Sequence, residues 1–447
     1  MKKFLLLILA VFMFSGIYAS DDDFFFSEDS MFFDDGMVEE ITEEDSNGKG
    51  ENSIFDFGLI ETETLRFGGS SAFALNYSAI WTDVFSSPKE EKYFANGFYN
   101  SMLIPSLSAS LYFDARPNET LRLYGKVETA YPFEQNLGNL NPMLNGLIIP
   151  QFRVKELFTD FNIGEHSYFR FGKHTVTWGV GYFFSPADVI NIGKIDPENP
   201  ENQVEGAISL RSMFTFPETQ NCLYLYLIPT GMEEGFLARN TAFAGKYDFL
   251  LGNTEIGIGG WYKYNRSPRL VSTLTSTIFR DVSVFGEVVF AYGTEEQWIA
   301  SKSFENKDFV LQGTFGFSKY FKNPKINLAS QYLFNGFGEN DPTSLVDEKF
   351  LTKQGLYGYV GKHFLALSLT KSELFTEKLS LSGFCLMSFS DFSGMGNLSL
   401  NYNLDKNCNI SFGPNIVFGK ENSEFARTSE KNMFSFDVSV KLGGGKF

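Results

Sequence analysis

The chain has 447 residues, 51 of them Phe, with 17% aromatics, a formal net charge of -17 and three cysteines. A soluble domain would need a very large core to hide that many rings, whereas a membrane barrel places them on its lipid-facing wall and in its interfacial girdles. The odd cysteine count (Cys222, Cys385, Cys408) argues against a disulfide framework in an oxidising compartment, and an acidic chain with no basic patch argues against nucleic acid as a partner.

Residues 1–20 read as a signal peptide. Lys2 and Lys3 give the basic start, Phe4 to Phe14 the apolar core, and Ile17-Tyr18-Ala19 a small-residue cleavage site. No cysteine near that site suggests a lipid anchor, and no other stretch reaches the roughly 18 apolar residues of a spanning helix. Residues 21–62 are expected to form an acidic, disordered periplasmic extension. Between Asp21 and Glu63 sixteen acidic residues face one Lys, Lys49, so residues 64–447 carry a net charge of only -4. The aromatic runs Phe24-Phe25-Phe26 and Met31-Phe32-Phe33 leave open a second reading, a peptide that docks in a groove or in a barrel mouth. The extension is too short for an N-terminal plug domain, so energised uptake is not expected.

Residues 63–447 repeat one pattern: about ten residues of apolar–polar alternation, then a turn. Phe67-Gly69-Ser71-Phe73-Leu75-Tyr77-Ala79-Trp81 is one copy, Leu379-Leu381-Gly383-Cys385-Met387-Phe389 another, and Phe434-Phe436-Val438-Val440-Leu442 the last. Alternate side chains of a strand point to opposite faces, so each copy has one apolar and one polar face. The fold class expected is all-β, a transmembrane antiparallel up-and-down β-barrel. Strand centres lie near residues 74, 108, 126, 159, 173, 211, 225, 245, 259, 286, 314, 331, 365, 384, 401, 414 and 438. Those near 211 and 245 are ragged. Because single-chain barrels have even strand numbers, about 16 strands are expected, within a range of roughly 14 to 18. Tight turns such as Asn162 to His166, Gly252-Asn253 and Asp405 to Cys408 contrast with long loops at Ser86 to Asn100, Gln135 to Gln151, Tyr182 to Glu205, Asn265 to Thr277 and Gly336 to Gln354. That contrast fits periplasmic and extracellular ends respectively. The terminal Phe447 follows Gly443-Gly444-Gly445-Lys446 and falls on the opposite parity from Phe434 and Phe436. Either a glycine bulge resets the register or the end frays.

One region carries most of the polar chemistry. Glu156-Leu157-Phe158-Thr159-Asp160 precedes Arg170-Phe171-Gly172-Lys173-His174-Thr175-Val176-Thr177-Trp178-Gly179, and Pro186-Ala187-Asp188-Val189-Ile190-Asn191 follows. These about forty residues resemble a family of large bacterial outer-membrane barrels of unassigned function, porin-like in the style of alginate-export and carbohydrate porins. In that family a strand E-x-(Y/F)-x-D precedes R-x-G-(K/R)-(Q/H)-x-x-x-W-G and a loop with P-x-D-x-x-N. The resemblance implies a barrel with a channel-like role.

Parity alone places Leu157, Phe161, Ile163, Phe169 and Phe171 toward lipid, and Glu156, Asp160, Arg170, His174 and Trp178 toward the lumen. With Asp188 these are the lumen or constriction candidates. Two readings stand: a charged constriction that screens solutes, or an ion-pair network that holds a folded-in loop. Tyr182 to Glu205 is the inward-folding loop expected. Its polar members are Asp188, Asn191, Lys194, Asp196, Glu198 and Glu201. Oxygen donors from Asp196 to Asn202 lack the spacing of a calcium loop, so no metal or other cofactor is expected. Phe158, Trp178, Tyr224 and Tyr226 on the lumenal parity could instead form a stacking track.

No G-x-S-x-G, H-E-x-x-H or C-x-x-C occurs, and His166, His174 and His363 stand apart, so the chain does not read as an enzyme. It reads as an outer-membrane channel for passive passage of small hydrophilic solutes; the alternative is a surface adhesin or receptor whose long loops ride on a barrel anchor. The partners expected are outer-membrane lipids, small solutes, and the barrel-assembly machinery through the strand Phe434 to Phe447.

Overall fold

A computed structural model describes residues 61–62, 64–82, 100–131, 135–136, 148–149, 152–200, 204–229, 238–279, 281–405, 407–427 and 433–446. The signal peptide, nearly all of the acidic extension, Glu201 and Phe447 lie outside the described residues.

Eighteen long strands form one antiparallel sheet that closes on itself. In chain order they are β1 (Leu65–Thr82), β2 (Asn100–Asn118), β3 (Leu121–Tyr131), β4 (Arg153–Asn162), β5 (Ser167–His174) and β6 (Ala207–Phe216). Next come β7 (Asn221–Pro229), β8 (Thr241–Leu251), β9 (Thr254–Tyr262), β10 (Arg269–Ile278), β11 (Val282–Tyr292) and β12 (Phe309–Phe321). The last six are β13 (Ile326–Asn335), β14 (His363–Lys371), β15 (Leu379–Ser388), β16 (Ser393–Asp405), β17 (Cys408–Phe418) and β18 (Met433–Lys446). Each strand pairs with its sequence neighbours, and β18 pairs back onto β1 from Thr82↔Met433 to Ser70↔Lys446, which closes the cylinder.

The wall therefore has 18 strands, not about 16. All seventeen expected centres fall inside strands; the additional strand is β10, which lies within the expected long loop Asn265 to Thr277. Arg269-Leu-Val-Ser-Thr-Leu-Thr-Ser-Thr-Ile278 looks loop-like because its inward residues are threonines. Yet Val271, Thr273 and Thr275 are buried while Leu270 and Leu274 are exposed, the alternation of a barrel strand. The even number that a closed single-chain barrel takes is reached by adding a strand to the seventeen, not by removing one.

The two faces of the wall differ as alternation requires. On β2 Leu103, Leu107 and Leu111 are exposed on the outside, whereas Asp114 is 2% exposed on the inside. Outward apolar residues continue around the cylinder through Leu157, Phe171, Phe243, Ile258, Phe290, Phe315 and Phe436. Connections of a few residues lie at one end, such as those between β8 and β9 and between β16 and β17. The opposite end carries the long connections, two of which hold helices α1 (Glu295–Ser301) and α2 (Asp347–Tyr357). A capping box of Thr294 and Gln297 opens α1, satisfying backbone donors that a short helix would otherwise leave open.

The glycine run near the end of the chain is a bulge. Ala72 faces Gly443, but the next partners are Ser70 and Lys446, so β18 carries one extra residue there, and Gly443 sits at φ +86. A side chain at Gly443 would meet the Ser71 carbonyl at 2.4 Å, which adds a steric reason for glycine to the positive φ.

Candidate functional site: a loop folded into the barrel

β5 ends at His174, and the chain does not return to the wall until Ala207 begins β6. The departure is tight. Gly172 takes φ +134 where a side chain would sit 2.2 Å from the Leu157 carbonyl, and a side chain at Gly206 would sit 1.9 Å from that of His174. Lys173 pairs with Glu205 at 2.7 Å and the Thr175 hydroxyl donates to the Val204 carbonyl at 2.8 Å, so the two ends of the excursion are tied together. The Lys173 ammonium holds the Glu205 carboxyl below its usual range.

From this base the segment crosses the lumen to the far wall. Glu287, on β11, is 1% exposed. Its Oε1 accepts the backbone N–H groups of Val180 and Gly181, each at 2.6 Å, and the Ser185 hydroxyl at 3.0 Å; Oε2 accepts the N–H of Ala187 at 2.8 Å. A carboxylate buried away from water is costly unless paired or multiply bonded; here the partner is the loop backbone. Two strands on, Gln331 of β13 accepts the N–H of Phe183 at 2.6 Å and donates to the Phe184 carbonyl at 2.6 Å, completing its amide against Thr314 Oγ1. Polypeptide leaving a sheet leaves backbone groups open, and these two side chains take the place of a neighbouring strand.

Inside the excursion, Asn191 does the same for Val176. Its Oδ1 accepts the Val176 N–H at 2.9 Å and its Nδ2 donates to the Val176 carbonyl at 2.6 Å and to Asp188 Oδ2 at 2.8 Å. Burial pushes the Asp188 carboxyl up to about 7, opposed by the bonds from Asn191 and reinforced by the charge of Glu287. Gly179 and Gly181 are obligatory at the crossing: side chains there would sit 1.7 Å from Ser185 Oγ and 1.8 Å from the Phe184 carbonyl. The three motifs read from the sequence thus meet around one excursion of the backbone.

Apolar packing holds the rest. Trp178 meets Tyr226 edge to face at 5.8 Å, within a cluster of Val176, Ala187, Ile190, Val271 and Val289. Phe183 and Phe184 enter a second cluster with Leu333, Phe364 and Leu386. Above them, Glu424 accepts the N–H groups of Val360 and Gly361 at 3.0 and 2.7 Å, and Asp391 accepts the Glu424 N–H at 2.6 Å. Burial pushes the Glu424 carboxyl up to about 7, with the Asp391 charge adding to it. Arg427 bonds Asp347 at 3.0 Å and lies 3.8 Å over the Phe350 ring, so the segment after β17 clasps the hairpin that carries α2.

The lumenal wall beneath the loop bears a row of charges in register across β3 to β6: Arg122↔Asp160, Asp160↔Arg170 and Arg170↔Arg211. Arg170 binds Asp160 through two nitrogens at 2.6 and 3.1 Å and lies 4.1 Å over the Phe158 ring. Arg122 binds Asp114 in the same bidentate way at 2.9 and 3.2 Å and reaches Asp160 at 3.6 Å.

Of the sequence candidates, Asp160 and Arg170 are brought together and Glu156 stands opposite Lys126 on β3. His174 is 0% exposed, its Nδ1 3.1 Å from the Gly172 carbonyl, at the foot of the loop. Trp178 lies on the loop rather than on an extension of β5, so strand parity does not apply to it; it is 1% exposed. Asp188 turns into the loop toward Asn191. Phe158, Trp178 and Tyr226 are covered by their neighbours, so their rings present no free face for stacking. The excursion begins at Thr175, seven residues before the expected Tyr182. Ile192, Lys194, Asp196 and Glu198 form the side of the loop that faces the open lumen; the Lys194 side chain reaches toward Gly358, where partial desolvation of its head inside the barrel, with the nearby Arg269 charge, lowers its ammonium to about 8.

Glu287 and Gln331 were missed. Glu287 is the one charged residue of β11, whose other residues are apolar or small on both faces. A lone carboxylate in such a strand signals a buried acceptor awaiting donors.

No family model matches the chain, and no curated protein matches it. Among solved structures it is similar to OccAB4 of Acinetobacter baumannii, at 8% identity and a TM-score of 0.49 over 85% of this chain and 98% of that one. It is also similar to two Pseudomonas aeruginosa proteins. OccK3 (OpdO) shows 9% identity and a TM-score of 0.48 over 84% and 95% of the two chains. OccK11 (OpdR) shows 11% identity and a TM-score of 0.47 over 84% and 95%.

Proposed function

We propose that the protein is an integral outer-membrane channel through which small hydrophilic solutes pass passively. The observation that carries this reading is the excursion 175–206, fastened across the lumen to Glu287 and Gln331. A barrel of this size encloses an aqueous lumen unless it is filled, and a loop fixed to the far wall narrows that lumen at a defined height. In this reading Lys194, Asp196 and Glu198 on the open side of the loop, with Glu156 and Asp160 on the wall, screen solutes by charge and size. Arg170, His174 and Trp178 hold the loop and its wall in place. The outer apolar face meets lipid, and the strand ending at Lys446 is the segment offered to the assembly machinery.

Planar-bilayer recording on the refolded mature protein tests the proposal. Discrete, ohmic current steps that persist in neutral lipid are expected. A heat-modifiable, membrane-inserted protein that passes no current and does not swell liposomes with small sugars overturns it.

A further inference from the structure

We infer that solutes pass along one side of the lumen, from β16 round through β18 to β2, and that this side recognises small neutral polyhydroxylated solutes through serine hydroxyls and asparagine amides. The inference rests on the channel reading and adds to it a path and a substrate class.

Burial locates the path. Lumen-facing residues on the strands that the loop covers are closed off: Ser209 on β6, Ala244 on β8, Thr273 on β10, Gln331 on β13 and Ala366 on β14 are all buried. On the other side the same inward positions stay open. Asn401 on β16, Ser411 on β17, Ser439 on β18 and Asn76 on β1 are half-buried, and Ser108 on β2 is exposed. Among the described residues, the excursion 175–206 and its two apolar clusters thus fill the lumen on the side of β5 to β15. The free cross-section lies against β16 to β4.

The lining of that cross-section points to the solute. Register sets one unbroken row of hydroxyls and amides across five neighbouring strands: Ser380↔Asn401, Asn401↔Ser411, Ser411↔Ser439 and Ser439↔Asn76. A second row repeats it with Asn397↔Asn415 and Asn415↔Ser435. Charge is sparse here. Asp437 accepts donors from Ser78, Asn415 and Ser435, and Lys441 on the same face of β18 balances it. By contrast the lumenal side of β3 and β4 carries Arg122, Lys126, Glu128, Lys155, Glu156 and Asp160.

A serine hydroxyl and an asparagine amide each donate and accept. A polyol therefore exchanges its hydrogen bonds to water for equivalent ones along the row. An ion surrenders hydration on such a surface and gains no countercharge in return. Side chains on one face recur about every 7 Å along a strand, with neighbouring strands about 4.8 Å apart. A solute of sugar size thus meets the next polar group before it leaves the last, and many weak contacts in series let it both enter and leave.

Two measurements separate failure of this inference from failure of the channel reading. In planar bilayers a neutral pentitol should lower the ionic current saturably, beyond the fall in bulk conductivity. Asn401→Leu with Ser411→Ala, confirmed as a heat-modifiable barrel, should weaken the half-blocking concentration about fivefold, as expected for the loss of two neutral hydrogen bonds. An ionic current that pentitol does not block, or a block that the double variant leaves unchanged, overturns the inference while the channel stands.

The second needs no current. In mature protein with Cys222, Cys385 and Cys408 changed to Ser, either Ser411→Cys or Ser209→Cys is introduced. Each is reacted with methanethiosulfonates bearing a hydroxyl, a sulfonate or a trimethylammonium group, and every rate is divided by its value in urea. In the Ser411→Cys protein the hydroxyl reagent should react about fivefold faster than either charged one. In the Ser209→Cys protein all three should react roughly tenfold more slowly still, since reaction there waits on local opening. Equal reactivity at the two positions overturns the inference, and so does a charged reagent that matches the neutral one in the Ser411→Cys protein, whether or not the protein conducts.

Discussion

The backbone N–H of Ala187 donates to Oε2 of Glu287 at 2.8 Å, across one hundred residues of sequence. That bond and its three companions on the same carboxylate pin the loop to β11, six strands around the wall from its origin at the end of β5. Removing the acceptor leaves buried donors without a partner, and each such group costs about 1 to 3 kcal/mol. Glu287→Ala should therefore release the loop before it unfolds the barrel. The expected result is new protease cleavage between Thr175 and Gly206, with noisier and larger current steps and unchanged heat-modifiability. A loop as resistant as in the parent protein would show that Gln331 and the apolar clusters suffice.

Gly181→Ala should mimic that loss by a different route. Its new methyl would lie 1.8 Å from the Phe184 carbonyl and 2.7 Å from the Gln331 amide nitrogen, and neither can move without breaking the bonds of Phe183 and Phe184. By contrast Gly355→Ala, on α2, meets nothing within 4 Å and should be neutral or slightly stabilising, since alanine favours helix by about 1 kcal/mol. Protease resistance of the pair, measured side by side, checks both.

Arg170 and Asp160 should behave as a coupled pair. Arg170 is 7% exposed and Asp160 26%, so solvent screens part of the interaction, and a coupling of about 2 kcal/mol is expected, between the surface and buried limits. Arg170→Lys keeps the charge but loses the second bond and the contact with Phe158, and should recover less than half of the coupling. A double-mutant cycle on urea unfolding in lipid vesicles measures it.

The clasp over α2 should tighten in acid. Burial raises the Glu424 carboxyl from 4.5 to about 7 in the folded protein. The folded form therefore holds the proton more tightly than the unfolded one. That contribution is complete below about 4.5 and is lost as pH rises through about 7. Asp188 carries the same sign. Amide exchange at Val360 and Gly361, corrected for intrinsic rates, should be slower at pH 5 than at pH 8. In Glu424→Gln, which stays neutral, the difference should shrink severalfold.

The barrel was legible in the sequence because its signal is local. On β2 the run Leu103, Pro105, Leu107, Ala109, Leu111 states its own outer face, and the facing of Leu157 and Phe171 against Asp160 and Arg170 followed from parity alone. Parity failed at Trp178, where the chain had left the wall, and at β10, where threonines lined the lumen and diluted the contrast. The work of the strongest polar motif as a hinge and clamp for the loop is not readable locally, since Gly172 and Asn191 act on backbone atoms distant in sequence and Gly179 makes room for the side chains of Ser185 and Glu287.

Alternation, turn residues and the acidic run are properties of neighbouring residues, so the chain by itself determined a strand-built wall, its two faces, its two unlike ends and the charge of its extension. The number of strands and the path of the loop belong to closure. They depend on which edge meets β1 and on which side chain receives the N–H groups of Val180, Gly181 and Ala187. Backbone donors are the same in every residue but proline and leave no mark in the sequence, so only the folded cylinder decides that Glu287 is where they end.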